Sequence, residues 1–161
     1  MHTGSLRLYR KAADQDNATA QNNLGELYEA GNGVSQDFPQ AIKLYQLAAE
    51  QDHAGAQCNL GAMFAAGKGV AEDYPLAMKW YQKSANRGDD SAQFFISEMY
   101  LTGKGVEKNI VKAHMWLMLS AKSGHPKAEK AAQKLVKKMA SEQIEQSLLM
   151  VKEWVASQSI S

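Results

Sequence analysis

Apolar residues recur at a helical period along most of the chain. Ala20, Leu24, Leu27 and Tyr28 fall at i, i+4, i+7 and i+8, which places them on one face of a helix. Ala41, Leu44, Tyr45, Ala48 and Ala49 make a second such face shortly afterwards. Gly31 and Gly33 stand between the two faces and predict the end of the first helix, because glycine accepts the left-handed backbone that closes a helix C-terminus. Val34 is expected to tuck the loop under the helices. Asp37 stands where the second helix needs an N-cap, and Gln40, three residues on, completes a capping box. Pro39 sits in the first turn, where no backbone donor is missed.

This helix–loop–helix pattern repeats without gaps every 36 residues. Leu24, Leu60 and Ile96 are in register, as are Gly31, Gly67 and Gly103 and then Gly33, Gly69 and Gly105. Val34, Val70 and Val106 follow, then Ala41, Ala77 and Ala113, then Ala49, Ala85 and Ala121. Asp73 and Asn109 repeat the cap position of Asp37, and Pro75 repeats Pro39. Full units therefore cover 18–53, 54–89 and 90–125, with partial units over 6–17 and 126–140. A single unit cannot bury its apolar faces alone, so the units must stack. The fold class predicted is all-α, a right-handed α-solenoid of about nine helices.

The ends differ. Residues 1–5 read as a cloning remnant, and the N-terminal half unit lacks a first helix, so the natural protein is expected to continue upstream. Leu8 would then lack its covering helix. At the other end Pro126 is expected to start a helix that runs to about Ala140 with no Gly-x-Gly loop after it. Ser141 then caps a last helix, with Ile144, Leu148, Val151, Trp154 and Val155 on one side, covering the end of the stack over 141–161.

Composition narrows the functional classes. The 161 residues carry a net charge of +1, which argues against a general nucleic-acid binder. No apolar run approaches the ~20 residues that cross a bilayer. The charge is uneven: Asp14 to Asp52 holds seven acids and one base, and Lys122 to Lys138 six lysines and one acid. The simplest reading is two solvated helical faces; the sharper one is a field that steers a partner. Weak head-to-tail association of two copies would also follow, and otherwise a monomer.

Ala56-Gln57, Leu60-Gly61, Phe64, Gly67-Lys68-Gly69-Val70, Asp73, Ala77, Trp80-Tyr81 and Ala85 together resemble a Sel-1-like repeat, a family related to the tetratricopeptide repeats. The resemblance extends over roughly residues 6–136. In the third unit Ser97 replaces Gly25 and Gly61, Ile96 replaces leucine, and Asn109 and Val111 replace the Asp-x-Pro cap, so that unit is expected to be slightly less regular. The resemblance implies an interaction scaffold whose first helices line a concave surface. In the first unit the lining set is Asn22, Glu26, Glu29 and Ala30. One repeat on it is Cys58, Ala62, Ala65 and Ala66, and another repeat on Phe94, Glu98, Leu101 and Thr102. Phe94 is singled out, because an aromatic stands in the slot of Asn22 and Cys58, which is not an apolar repeat position.

Catalytic chemistry finds no support in the sequence. Gly31-x-Gly33 and its copies lack the strand and third glycine of a dinucleotide fingerprint. His2, His53, His114 and His125 include no pair at metal-ligand spacing, and Cys58 has no evident histidine partner. Asn17-Ala18-Thr19 is formally a glycosylation acceptor, a tripeptide common by chance. No cofactor, no metal and no enzymatic activity are expected. The function expected is an adaptor that binds a protein or peptide on the concave face. The alternatives are a structural segment of a larger protein and a hydrolase, which has no catalytic constellation to carry it.

Overall fold

The structure, a computed structural model, describes residues 2–160, with side chains from residue 4 onward. Met1 and the side chain of His2 lie outside the described residues. Nine helices and no strand are found among them: α1 His2–Asp14, α2 Ala18–Ala30, α3 Phe38–Glu50, α4 Ala54–Ala66, α5 Tyr74–Asn86, α6 Asp90–Thr102, α7 Ile110–Lys122, α8 Ala128–Val136 and α9 Ser141–Gln158. The chain divides into two compact units, 1–84 and 85–161, with the division inside α5. Helix α1 takes in residues 2–5 of the segment read as a cloning remnant.

In the first unit α2 packs on α1 and α3, and α3 packs on α4. Leu24, Ala20 and Leu44 form one apolar cluster with Leu6 and Ala13, and Tyr45, Leu60 and Met63 anchor a second with Ala41, Ala48 and Ala56. Leu8 is left 69% exposed on α1. Gly31 and Gly67 close α2 and α4 with φ of 69° and 67°. Asp37 caps α3 by accepting from the Gln40 N–H at 3.1 Å. The capping box is only half made, however, since the Asp37 N–H donates to the Tyr28 carbonyl and has no need of the Gln40 side chain.

The second unit packs α6 on α7, and α7 on both α8 and α9. Its core joins Ala113 and Leu117 of α7 to Ala128, Ala132 and Leu135 of α8. The third repeat is as regular as the first: α6 and α7 each run 13 residues, as α2 and α3 do, and Asn109 caps α7 as Asp37 caps α3. The compensation is steric. A Cβ at Gly25 would lie 2.7 Å from the Tyr45 ring and one at Gly61 2.8 Å from the Tyr81 ring. Ser97 faces no such ring, because the equivalent ring position is Leu117.

The C-terminal elements depart from expectation. Helix α8 starts at Ala128, two residues after Pro126, and ends at Val136 rather than near Ala140. Its Lys127 start carries no side-chain cap, and a turn follows at once. The N-cap of α9 is Ala140 with extended backbone (φ −73°, ψ 156°), and Ser141 is already helical. The Ala140 N–H donates to Gln143 Oε1 at 2.9 Å in place of a hydroxyl cap. Helix α9 covers α7 with Trp154 set edge-on to Trp116 at 6.0 Å. Leu148, expected in that contact, is 45% exposed, and the buried centre of the helix is Ser147. The reason is polar: His114 of α7 is buried and its Nδ1 lies 2.6 Å from Ser147 Oγ.

Candidate functional site

The outward faces of α2 and α4 hold the expected lining residues of the first unit. Asn22 and Cys58 prove to be buried, at 6% exposure each, so neither offers its side chain to solvent. Asn22 instead joins the helices. Its Oδ1 accepts from Asn59 Nδ2 at 3.0 Å, and Asn59 Nδ2 also reaches Glu26 Oε1 at 3.2 Å. Asn59 was not legible as a member of this set, because it falls outside the four repeat-equivalent lining positions. Glu29 likewise serves the fold. Its Oε1 accepts from the Tyr45 hydroxyl at 2.7 Å, and its Oε2 lies 3.7 Å from Lys68 Nζ. Burial, reinforced by the Glu29 carboxylate, holds the Tyr45 phenol well above its ordinary pKa. What remains open on this face is the Glu26 carboxylate and Ala30 of α2 and Ala66 of α4, with Ala62 and Ala65 half-buried.

The second unit builds a more complete site. Phe94, Glu98 and Leu101 lie at one-turn spacing along α6, and Ala131, Lys134 and Leu135 along α8, with Lys138 in the turn beyond. Between these walls runs a groove of about 420 Å³, with Leu117 of α7 and Ser97 also lining it. Phe94 is half-buried and stacks on His125, with ring centroids 4.4 Å apart and planes 5° from parallel. His125 is held in turn by accepting from the Lys127 N–H at 3.2 Å. Leu101 is 40% exposed. Thr102 is exposed, but its hydroxyl donates back to the Glu98 carbonyl at 2.9 Å. Desolvation raises the Glu98 carboxyl above the usual carboxylate range, against the opposing pull of His125 and Lys127. The structure thus brings Phe94, Glu98 and Leu101 together with an α8 wall that sequence reasoning missed. The only signal for that wall was the run of lysines from Lys122 to Lys138, read as a solvated face.

A second cleft, of about 540 Å³, opens in this unit between α7, α8 and α9. It is lined by Met118, Ala132, Val136, Ile144 and Leu148, with His114 also lining it and both Lys122 and Glu129 at its polar part. The Ser147 hydroxyl lies within hydrogen-bond distance of both the Ile144 carbonyl and His114 Nδ1, and burial lowers the imidazole pKa. Among the described residues no group of three or more His, Cys, Asp or Glu side chains could hold a metal ion, and no helix is long and apolar enough to cross a membrane.

Comparison with known proteins agrees with the repeat. No match is found among curated proteins. Among solved structures, the chain is similar to a Sel1 repeat protein from Oxalobacter formigenes, with 33% identity and a TM-score of 0.80 over 96% of this chain and 62% of that one. It is also similar to c5321, a protective antigen present in uropathogenic Escherichia coli strains displaying an SLR fold, with 28% identity and a TM-score of 0.64 over 94% of this chain and 40% of that one. The chain therefore spans less than two thirds of the length of either relative. The fold class is the all-α solenoid of these proteins. The Sel1 repeat model matches residues 5–17, 18–53, 54–89 and 90–125, and the chain belongs to the Sel1 repeat family.

Proposed function

We propose that this chain is an interaction scaffold that binds a peptide or partner protein on the exposed faces of its first helices, without catalysis. Sel1 repeats generally mediate protein–protein interaction. The observation that carries the finer reading is the groove between α6 and α8, open to solvent and built on apolar side chains. A half-buried aromatic beside an exposed leucine is the kind of anchor that dominates interface energetics. Glu98 and Thr102 supply polar groups on the second unit, and the first unit separately presents Glu26, with Ala62 and Ala66 as low ground that a partner backbone can approach. Asn22 and Glu29 tie together the helices that carry this surface, through Asn59 and Tyr45, and Cys58 is buried.

The test starts with a partner captured from source cells, identified by mass spectrometry and then purified. Phe94→Ala and Leu101→Ser should each weaken its binding about tenfold or more, while far-UV circular dichroism stays unchanged. Glu26→Lys and Glu98→Lys should act mainly on association rate and salt dependence. Unchanged affinity across all four variants would remove this reading. Leu8, exposed on α1, supports a second reading in which copies of the chain associate weakly through that helix. Light scattering that shows a monomer at high concentration and low salt removes it.

A further inference from the structure

We propose that the groove between α6 and α8 takes an acidic peptide segment anchored by one large apolar residue. The proposal rests on the scaffold reading and names the chemistry of its partner. The floor and lower walls are apolar, from Leu117, Leu135, Ala131 and Phe94. An occupant must therefore bring an apolar side chain to exclude water from them. The lining residues recur one turn apart along α6 and α8, so the groove is a trough that suits a chain rather than a compact metabolite.

Charge decides which chain. Lys134 and Lys138 line the α8 wall, and among the described residues neither makes an ion pair. Lys130 and Lys137 add to the same stretch, where Glu129 is the one acid. The carboxylate on the opposite wall, Glu98, already sits in the field of His125 and Lys127. Lys134 of α8 and Lys138 in the turn beyond it thus present positive charge that no ion pair engages, four residues apart and beside the apolar floor. Acidic residues flanking an apolar anchor complement that arrangement, and the attraction should be screened by salt. A single-stranded nucleic acid fits less well. Its bases need open aromatic faces for stacking, whereas one face of Phe94 is covered by His125.

Selection of a phage-displayed library of random peptides on the whole chain tests the proposal. Enriched sequences should pair Leu, Ile, Phe or Met with neighbouring Asp or Glu. A synthetic peptide of the enriched sequence should bind at least tenfold more weakly to Lys134→Glu/Lys138→Glu. It should weaken similarly when its own apolar residue is changed to serine, and progressively as salt is raised. Lys134→Gln/Lys138→Gln should show an intermediate loss, and circular dichroism should confirm that both variants keep their helicity. No enrichment, enrichment of basic or uncharged peptides, equal binding to the double variants, or displacement of the peptide by a single-stranded oligonucleotide each overturns the proposal. A purified natural partner that depends on Phe94 and Leu101 but ignores Lys134 and Lys138 would overturn this chemistry and leave the scaffold reading standing. One that ignores all four would sink both.

Discussion

Two glycines and a serine show how the repeat regulates its own packing. Gly25 and Gly61 let the Tyr45 and Tyr81 rings lie against helix backbone, at distances no Cβ tolerates. Where the ring gives way to Leu117, Ser97 fits and is fully buried. Gly61→Ser should therefore cost ~1–3 kcal/mol by overpacking, and Gly61→Ser/Tyr81→Leu should recover part of it, measured by urea unfolding. A second prediction concerns the loops. Gly67 and Gly69 have φ of 67° and 73°, so alanine at either should cost about 1 kcal/mol or more. Gly69→Ala should cost more than Gly67→Ala, since its Cβ would lie 2.6 Å from Phe38 Cβ. Equal costs would contradict the steric account. The glycines were legible because their spacing repeats. Asn22 was misjudged because a polar residue on the outer face of a helix reads as exposed, and its bond to Asn59 joins residues 37 apart in sequence. The buried glutamines Gln21, Gln57 and Gln93 recur visibly beside Ala20, Ala56 and Ala92. Their bonds from Nε2 to the carbonyls of Ala13, Ala49 and Ala85 depend on chain reversals that periodicity alone does not describe.

At the scale of elements, the caps divide into those that keep their chemistry and those that change it. The second helices start at Asp37, Asp73 and Asn109, similar side chains at equivalent places, and these were readable. The first helices start at Asn17, His53 and Asp89, where an amide oxygen, an imidazole nitrogen and a carboxylate do one job at 2.8, 3.0 and 2.9 Å. Only the structure unites them, and it gives Asn17, formally a glycosylation acceptor, a capping role. His53→Ala should lower stability by ~1 kcal/mol, the usual worth of an N-cap. Helix α9 yields a pH prediction. Burial lowers the His114 pKa below the ~6.5 of a free imidazole. Between the lowered value and ~6.5 the unfolded chain takes up a proton that the folded chain refuses. Stability should thus be fullest above about pH 6.5 and decline as pH falls through that value toward the folded pKa. The melting temperatures of the natural chain and of His114→Asn, compared from about pH 8 to 5, should converge as pH falls. Parallel curves would contradict the assignment. Ser147→Ala should separately cost ~1–3 kcal/mol by leaving the buried imidazole nitrogen without its partner.

For the molecule as a whole, the repeat made the solenoid class and the α6 half of the groove legible, since Phe94, Glu98 and Leu101 follow from positions set by earlier units. The α8 half was hidden because the fourth unit abandons the pattern: no Gly-x-Gly loop follows it, and the helix stops at Val136. Without that register nothing in the sequence tells which lysines of Lys122 to Lys138 face a groove. The central claim, that the chain works by binding a partner in the trough between α6 and α8, is tested most directly by hydrogen–deuterium exchange with and without the purified partner. Slowed exchange concentrated in 90–102 and 128–138 is the predicted result, and protection confined to helices that do not line the groove, with these two stretches unchanged, would contradict it.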